Sequence, residues 1–581
     1  MAVENLIIEH IDIWTSAVKT KSTSGRGSSK KLELYGAKKL RELILELAVR
    51  GKLVPQNPND EPASVLLERI AAEKAQLVKE KIIRESKSLP VVSRKEQPFV
   101  LPKGWVWERL GNIGIGATGK TPSTKQPIFF EGSIPFIGPG QINQNGEILA
   151  PEKFLSCDGL LNSTEAIEGD ILMVCIGGSI GKAAIARQTV GFNQQINAIR
   201  ALQMPSAYLY TTLSTDSFLQ ELLKKATGSA TPIINRRKWE ELLVPIAPLD
   251  EQHRIVAKVD ELMALCDQLE QQTEASIEAH QVLVTTLLDT LTNSADADEL
   301  MQNWARISEH FDTLFTTEES IDQLKQTILQ LAVMGKLVPQ DPSDEPAAEL
   351  LKRIAEEKTQ LVKEKKIKKQ KALPPISEDE KPFELPSGWE WCRLPDLGEL
   401  ARGKSKHRPR NDPKLYENGN IPLVQTGDVA RANGTILTYT AKYNEFGLAQ
   451  SQLWPKGTLC ITIAANIADT ATLGFDACFP DSVVGYTPYE KSIPTTYFDY
   501  FIQTAKANLE KFAPSTAQKN INLEILSNVL VPCPATQEFQ RIVDKIYEIA
   551  SICEALKRQV KDSQIIQTKL TNAIIEKAIK L

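Results

Sequence analysis

ILELAVRGKLVPQNPNDEPASVLLERIAAEKAQLVKEK, residues 44 to 81, returns as ILQLAVMGKLVPQDPSDEPAAELLKRIAEEKTQLVKEK at residues 328 to 365, and this repetition decides how the chain is organised. The match runs without a gap over 44 to 110 and 328 to 394, closing on PFVLPKGWVWERL (98 to 110) and PFELPSGWEWCRL (382 to 394). The stretches that follow, 111 to 243 and 395 to 530, barely resemble one another. A repeat of this length is one structural unit used twice. The chain therefore reads as a doubled frame carrying two divergent inserts.

Within the frame, Leu40, Leu43, Leu47 and Ala48 fall at helical spacing and predict a helix from Lys38 to Val49, ended by Gly51. Pro62 opens a second helix, with Leu66, Leu67, Ile70, Leu77 and Val78 as its apolar stripe. The same layout returns from Ile321 and from Pro346. Each insert reads as short strands broken by Gly, Pro and Asn, such as ILMVCIGG from Ile171 and TLCITIA from Thr458, with late helices from Ala207 and Thr495.

A long helix follows each insert, from Glu251 and from Gln537. Ile255, Val259, Leu262, Cys266 and Leu269 alternate four and three apart, as do Ile542, Ile546, Ile549, Cys553, Leu556 and Val560, which is a coiled-coil seam. Leu265 is taken with Leu262 and Leu269 as packing rather than as a cofactor box. Continued to Leu291, the first helix is a rod of about 60 Å. The terminal KLTNAIIEKAIKL from Lys569 echoes the frame helices from Lys39 and Gln323, so the N-terminal helices are expected to meet the C-terminal ones in a closed, approximately two-fold arrangement. Residues 19 to 31, rich in Ser, Gly and Lys, are expected to be a mobile tether. The Lys/Glu-rich helix at 356 to 375 reads as a solvated face.

The 581 residues, 42% hydrophobic with net charge -5, describe a multidomain globular protein and exclude an indiscriminately basic nucleic-acid coat. No run approaches the roughly 18 to 20 apolar residues of a membrane span, and MAVENLIIEHIDIW lacks a basic leader, so a cytoplasmic location without membrane contact is expected. Eight cysteines without a C-x-x-C and five histidines without ligand spacing suggest neither zinc nor a disulfide framework.

Two stretches imitate a nucleotide site. Gly114 to Thr121 satisfies G-x-x-x-x-G-K-[ST], and Gly398 to Ser405 satisfies it again. A working phosphate loop needs a buried strand before it, a helix after it and a magnesium-binding Asp, and none is convincing here. No Asn/Asp-Pro-Pro-aromatic tetrapeptide of a base-modifying methyltransferase is present. A nuclease-like set of Asp396, Asp412 and Lys414 reads as readily as turn sequence. Polar and basic loops in the inserts fit a nucleic-acid reader better. Arg402, Lys404, Lys406, Arg408, Arg410 and Lys414 face one acid, Asp412; the first insert offers Lys120, Lys125, Arg236, Arg237 and Lys238 with the amides of F192-N-Q-Q-I-N197. Cations meet phosphates, Arg forks onto guanine, and Asn or Gln pairs with adenine. A solvated loop and a strand-edge turn remain the plain alternatives.

The doubled G-K-L-V-P-Q and D-E-P-A segments, the L-P-x-G-W-x-W signatures at Leu101 and Leu385, G-K-T-P-S at Gly119 to Ser123, and the V-P and E-Q-x-R-I-V exits at Val244 and Glu251 resemble the specificity subunits of type I restriction-modification systems, over residues 35 to 581. The second copy departs, with GKSKHRPR and TQEFQRIV. The resemblance implies an α+β chain: two α/β target-recognition domains separated by long paired coiled-coil helices in a pseudo-two-fold cyclic order. Its expected divisions are an N-terminal segment (1–34), a first helical region (35–97), a first recognition domain (98–248), a central helical region (249–381), a second recognition domain (382–534) and a C-terminal helix (535–581). It implies a non-catalytic subunit that binds double-stranded DNA, two modification subunits and restriction subunits, with S-adenosylmethionine, ATP and Mg2+ held by those partners and no cofactor here. The DNA-contacting residues it suggests are Lys120, Thr121, Ser123, Gln194, Gln195, Asn197, Ser229, Asn235 and Arg236, then Arg402, Lys404, Lys406, Arg408, Gln425, Asp428, Thr516, Gln518 and Lys519. A coiled-coil scaffold without DNA contact, and an ATPase or methyltransferase, are the competing classes.

Overall fold

The computed structural model describes residues 3–22, 30–85, 87–228, 231–365, 367, 373–464, 466–511 and 521–580. The chain divides into two compact units, Met1–Ser276 with Ser563–Leu581, and Ile277–Asp562. Each holds one copy of the frame and one insert. The frame helices are Tyr35–Val49 and Ala63–Lys79 in the first unit and Glu318–Val333 and Ala347–Lys363 in the second. Leu40, Ile44 and Leu47 are buried, as are Leu324, Ile328 and Leu331, the stripe that helical periodicity demands.

Both first helices stop in the same way. Lys52 N–H donates to the Leu47 carbonyl (2.9 Å) and Gly51 N–H to Ala48 (3.2 Å), repeated by Lys336 to Leu331 (2.9 Å) and Gly335 to Ala332 (3.2 Å). The turn requires a left-handed residue, and Gly51 and Gly335 supply it at φ +64° and +70°.

The rods span Leu249–Thr292 and Glu538–Lys580. In the first unit, Ile255, Val259, Leu262 and Cys266 share a core with Leu40, Ile44 and Ala578. In the second, Val284, Leu288 and Leu291 share one with Ile321, Leu324, Ile328 and Cys553. Each unit thus joins parts of both rods, and the C-terminal helix returns to the N-terminal frame. There the Tyr35 hydroxyl donates to Asn572 Oδ1 (2.8 Å) and the Lys52 ammonium to the Ile579 carbonyl (2.7 Å).

Two expectations are corrected. Leu265 is 37% exposed, because a seam stepping from Leu262 to Cys266 to Leu269 passes beside it. The segment read as a tether is a hairpin at its base, with Lys19–Ser22 antiparallel to Lys30–Glu33. Residues 23–29 between these strands lie outside the described residues.

The inserts fold alike despite their sequences. In each, the first strand pairs antiparallel with the last: Val106–Arg109 with Leu243–Ile246, and Glu390–Arg393 with Leu530–Cys533. The first insert holds one sheet ordered Gly114–Thr118, Ile196–Ala201, Ile171–Val174, Ala183–Ile185 and another ordered Lys153–Leu155, Ile134–Ile137, Val190–Phe192, Glu165–Ala166. The second insert repeats the first order as Gly398–Arg402, Val483–Pro488, Leu459–Thr462, Thr470–Leu473. It repeats the other as Ala441–Tyr443, Ile421–Leu423, Ala477–Cys478, Leu453–Trp454, and it adds Thr435–Ile436 at the edge of its larger sheet. Seven cysteines are buried and unpaired; Cys157 is exposed. Among the described residues no helix is long and apolar enough to cross a membrane.

Candidate nucleic-acid interface

The frame fastens each insert through one buried carboxylate. Glu251 accepts from the Trp105 indole N–H (2.9 Å) and the Gln56 amide (2.6 Å); Glu538 accepts from Trp389 (2.8 Å) and Gln340 (2.8 Å). Arg254 pairs with Asp60 beside the first clasp, and Arg541 with Asp344 beside the second. Burial raises both carboxyls above their ordinary range, with the indole and amide donors acting against it. The repeated V-P-Q, D-E-P, G-W and exit motifs are therefore parts of one device. With Glu538 in the place of Glu251, the apparent departure in TQEFQRIV becomes a change of Gln252 to Phe539, whose ring meets Tyr497 edge-on at 4.8 Å.

The glycine-lysine stretches are not phosphate loops. Gly114–Thr118 is a strand antiparallel to Ile196–Ala201, and Gly398–Arg402 pairs likewise with Val483–Pro488. A phosphate loop would be irregular backbone leading into a helix. Asp396 accepts from Arg393 N–H (2.9 Å), and Asp412 is taken by Lys414 N–H (3.0 Å) and His407 (2.8 Å). Among the described residues no acidic, histidine or cysteine group is arranged to hold a metal ion.

Each strand instead ends in a rim of loops tied by backbone bonds. Gly119 N–H donates to the Ile196 carbonyl (3.0 Å) and Lys120 N–H to Phe192 (2.9 Å), while the Ser163 hydroxyl donates to the Lys120 carbonyl (2.7 Å). A Cβ on Gly119 would lie 1.9 Å from the Asn193 carbonyl oxygen. Glycine is what lets the two loops close. Thr121 then reaches Gln194 Oε1 (2.7 Å). The rim continues through Cys175 N–H to the Gln195 carbonyl (2.8 Å) and Ile234 N–H to Cys175 (3.0 Å). Asn235 follows, capping the helix Arg236–Glu240 by accepting from Lys238 N–H (2.9 Å), and Arg236 reaches back to the Gly116 carbonyl (3.3 Å).

Lys120, Ser123, Gln194, Asn235 and Arg236 are exposed on this rim, as are Lys125 and Arg237, and Thr121, Gln195 and Lys238 are half-buried. Asn197 departs from expectation. It is 2% exposed, accepts from the Thr118 hydroxyl (2.9 Å) and donates to Cys175 Sγ (3.2 Å), because its strand carries it into the sheet. Ser229 lies outside the described residues.

The second rim repeats the glycine and serine bonds and adds others. Gly403 N–H donates to Val483 (2.9 Å), the Ser451 hydroxyl to the Lys404 carbonyl (2.9 Å), and Lys406 N–H to Gln450 (3.1 Å). Arg402 donates to the Asp481 carbonyl and Arg410 pairs with its carboxylate (2.8 Å), while Arg408 folds onto the carbonyls of Ser405 and His407. These arginines are exposed, as are Lys404, Lys406, Lys414 and Gln425. Asp428 departs from expectation: it is 5% exposed and accepts from Gln425 N–H (2.9 Å), the Thr440 hydroxyl (3.1 Å) and Arg431 (2.6 Å). Gln141 has the matching role, accepting from Gly138 N–H (3.0 Å), and the two lie in IPFIGPGQI (134 to 142) and IPLVQTGDV (421 to 429). Thr516, Gln518 and Lys519 lie outside the described residues.

Sequence reasoning missed five rim residues. Ser163 and Ser451, which pin the lysine loops, close the matching runs GLLNS (159 to 163) and GLAQS (447 to 451). Asp481 and Ser482 stand where Gln194 and Gln195 do, since Ile463 N–H donates to the Ser482 carbonyl (3.0 Å) as Cys175 does to Gln195. Asn522 caps Leu523–Ser527 as Asn235 caps its helix, so Leu523 takes the place of Arg236.

Comparison with known proteins agrees with this duplication. A family model described as the type I restriction modification DNA specificity domain matches twice, at residues 102–279 and 386–564, together more than half of the chain. The type I restriction enzyme EcoAI specificity subunit of Escherichia coli is 43% identical, and the EcoEI specificity subunit of the same organism 40% identical, each over the full length of both chains. A chain solved in work on complex assembly and conformational transition of the type I R-M system shares the fold, with a TM-score of 0.51 and 19% identity over 83% of this chain and 99% of that one. With two recognition domains on a doubled frame and relatives alike from end to end, this chain belongs to the type I restriction enzyme specificity subunits, which name the DNA sequence and are not themselves catalytic.

Proposed function

We propose that each rim reads one half of a split DNA site, the first through Lys120, Thr121, Ser123, Gln194, Gln195, Asn235 and Arg236, the second through Arg402, Lys404, Lys406, Arg408 and Gln425, with Asp481 and Ser482 added. The observation that supports this most is that equivalent bonds recur in both rims, Gly119 to Ile196 with Gly403 to Val483, Cys175 to Gln195 with Ile463 to Ser482, and the Ser163 and Ser451 hydroxyls to the Lys120 and Lys404 carbonyls, while the outward side chains differ. Lysines at 120 and 404 would neutralise phosphates, the glutamines would pair with adenine edges and the arginines with guanine. Asn197 and Asp428 would act indirectly, by fixing the strand and turn that carry their neighbours. Because the rims differ, the two half-sites would be unrelated in sequence.

On this reading the repeated frames dock two modification subunits, restriction subunits join them, and S-adenosylmethionine, ATP and Mg2+ belong to those partners in the cytoplasm. The names of the relatives support the assignment to such a system. The test is methylation mapping in cells carrying this chain and its modification partner, with residues 111 to 243 and 395 to 530 exchanged in turn. A bipartite methylated motif whose halves change one at a time is expected. A motif indifferent to both exchanges would leave the chain a scaffold.

A further inference from the structure

The first glycine-rich stretch, G111-N-I-G-I-G-A-T-G119, is shaped around a side chain from outside it. A Cβ on Gly111 would lie 2.7 Å from Glu240 Cβ, and one on Gly116 would run into Glu240 Oε1. The two glycines leave room for this glutamate, from the end of the short helix Arg236–Glu240, to lie against the strand Gly114–Thr118 and the turn before it. The Glu240 side chain is 18% exposed. Its Oε1 stands 3.3 Å from Arg236 Nε, and Arg236 Nη1 donates to the Gly116 carbonyl (3.3 Å), so carboxylate and glycine hold the same guanidinium by two of its nitrogens.

This pair does little for the helix that carries it. Arg236 is the first residue of that helix and Glu240 the last, so the cation sits at the positive end of the helix dipole and the anion at the negative end, each the less favourable choice. The order Arg then Glu four residues on is also the weaker of the two. Burial raises the Glu240 carboxyl above its ordinary range, with Arg236 and then Lys74 acting against it, and burial lowers the Lys74 ammonium, with Glu240 acting against that. Lys74, on the second frame helix, donates to the carbonyls of Gly111 and Gly114, the latter at 2.8 Å, and its counterpart Lys358 donates to the Pro395 carbonyl (2.8 Å). The lysine belongs to both units; its neighbours do not. Asn522 matches Asn235, which puts Leu523 at the place of Arg236 and Ser527 at that of Glu240, and Gly398 matches Gly114, which puts Leu400 at the place of Gly116. Leu400 is buried, and Leu523 packs against the same core. The fold closes with apolar side chains there. Glycine, arginine and glutamate, present together in one insert and absent together from the other, therefore serve what differs between the inserts.

We propose that Glu240 is a positioning residue for Arg236: seated on Gly116, its carboxylate holds the guanidinium fork in the orientation that reads one base pair of the first half-site. A guanidinium pairs with guanine O6 and N7 through two parallel N–H groups, so it discriminates only when its plane is fixed. An arginine free to swing would meet any nearby phosphate instead. Glu240 touches no base and acts through Arg236 alone. The proposal rests on the reading of DNA by the first rim given above.

The test uses the full chain in complex with its modification subunits, and compares binding to a duplex carrying the mapped methylation motif with binding to duplexes altered at single base pairs of either half. R236A is expected to reduce discrimination at one base pair of the first half by about 5- to 100-fold, the range of one bidentate pair. E240Q should reduce it at that same base pair by about 3- to 10-fold, retain binding to the altered duplex, and broaden the methylated motif there. G116A, whose added methyl group displaces the carboxylate, should reproduce E240Q. In an R236A background E240Q should change nothing further, a dependence that general damage to the fold would not show. E241Q, which removes a neighbouring charge from the same stretch, should leave discrimination unaltered. The proposal is overturned if E240Q keeps wild-type discrimination, if its effect persists without Arg236, if it weakens both half-sites or releases the modification subunits, or if E241Q does the same. A wild type that does not discriminate the first half at all would refute reading by the first rim and the positioning with it. A wild type that does, beside an unchanged E240Q, refutes the positioning alone.

Discussion

The clasps at Glu251 and Glu538 agree partner for partner, with the same indole, the same amide and the same neighbouring Arg–Asp pair, whereas the rims agree in their backbone bonds and differ in nearly every outward side chain. The difference lies in what each must preserve. A clasp works through side chains in a buried site, so any change leaves a polar group without its partner. A rim is held mainly by N–H and C=O groups that every residue possesses, with the Ser163 and Ser451 hydroxyls as its shared side-chain pins, so its other side chains are free to change while the loop keeps its shape. The outward side chains can then diverge without cost to folding.

The comparison breaks most easily at the clasp. Trp105→Ala removes a side chain only 6% exposed and should lower stability by about 3 to 5 kcal/mol, read by urea unfolding. Trp389→Ala should cost a similar amount, and a much smaller loss would show that the two clasps are not equivalent. Glu251→Gln can satisfy only one of the two donors and should cost about 1 to 3 kcal/mol. Burial raises the Glu251 carboxyl above its ordinary 4.5, so its protonated form is favoured in the fold. Its contribution is present in full below pH 4.5 and is lost as pH rises through the raised value. The wild type should therefore gain stability relative to Glu251→Gln on acidification through that window, and a constant difference across it would contradict the assignment.

The rims respond less. Ser163→Ala and Ser451→Ala each remove one hydrogen bond to a lysine carbonyl, about 0.5 to 1.5 kcal/mol. Each should weaken binding through its own half-site alone, measured with duplexes in which the other half is scrambled. The smallest effect is expected of Lys120→Ala, which should leave the recognised sequence intact and reduce the salt slope by about one unit. A changed methylation motif would instead make Lys120 a reader of bases.

The frame was legible because a gapless repeat and a 3.6-residue period fix helices, their glycine stops and the rods. The sheets were legible only as strands, since their order depends on pairings between distant residues such as Gly114 with Ala201 and Gly398 with Pro488. Asn197 and Asp428 were misread because a polar residue on a buried strand or inside a turn looks, in sequence, like one on a loop. Asp481 was overlooked for the opposite reason, its place beside Arg402 and Arg410 being set by topology alone.

The exposure of a single thiol turns this chain into a convenient optical instrument. Burial pushes Cys175 up to about 12 and Cys266 to about 11, and raises the thiols of Cys392, Cys460, Cys478 and Cys553, so an alkylating dye at neutral pH will select Cys157. Cys157 opens the short helix Cys157–Leu161, whose last residue stands two before Ser163, the serine whose hydroxyl pins Lys120. A fluorophore there needs no cysteine removal elsewhere. On the proposed reading it would report the arrival of DNA at the first rim.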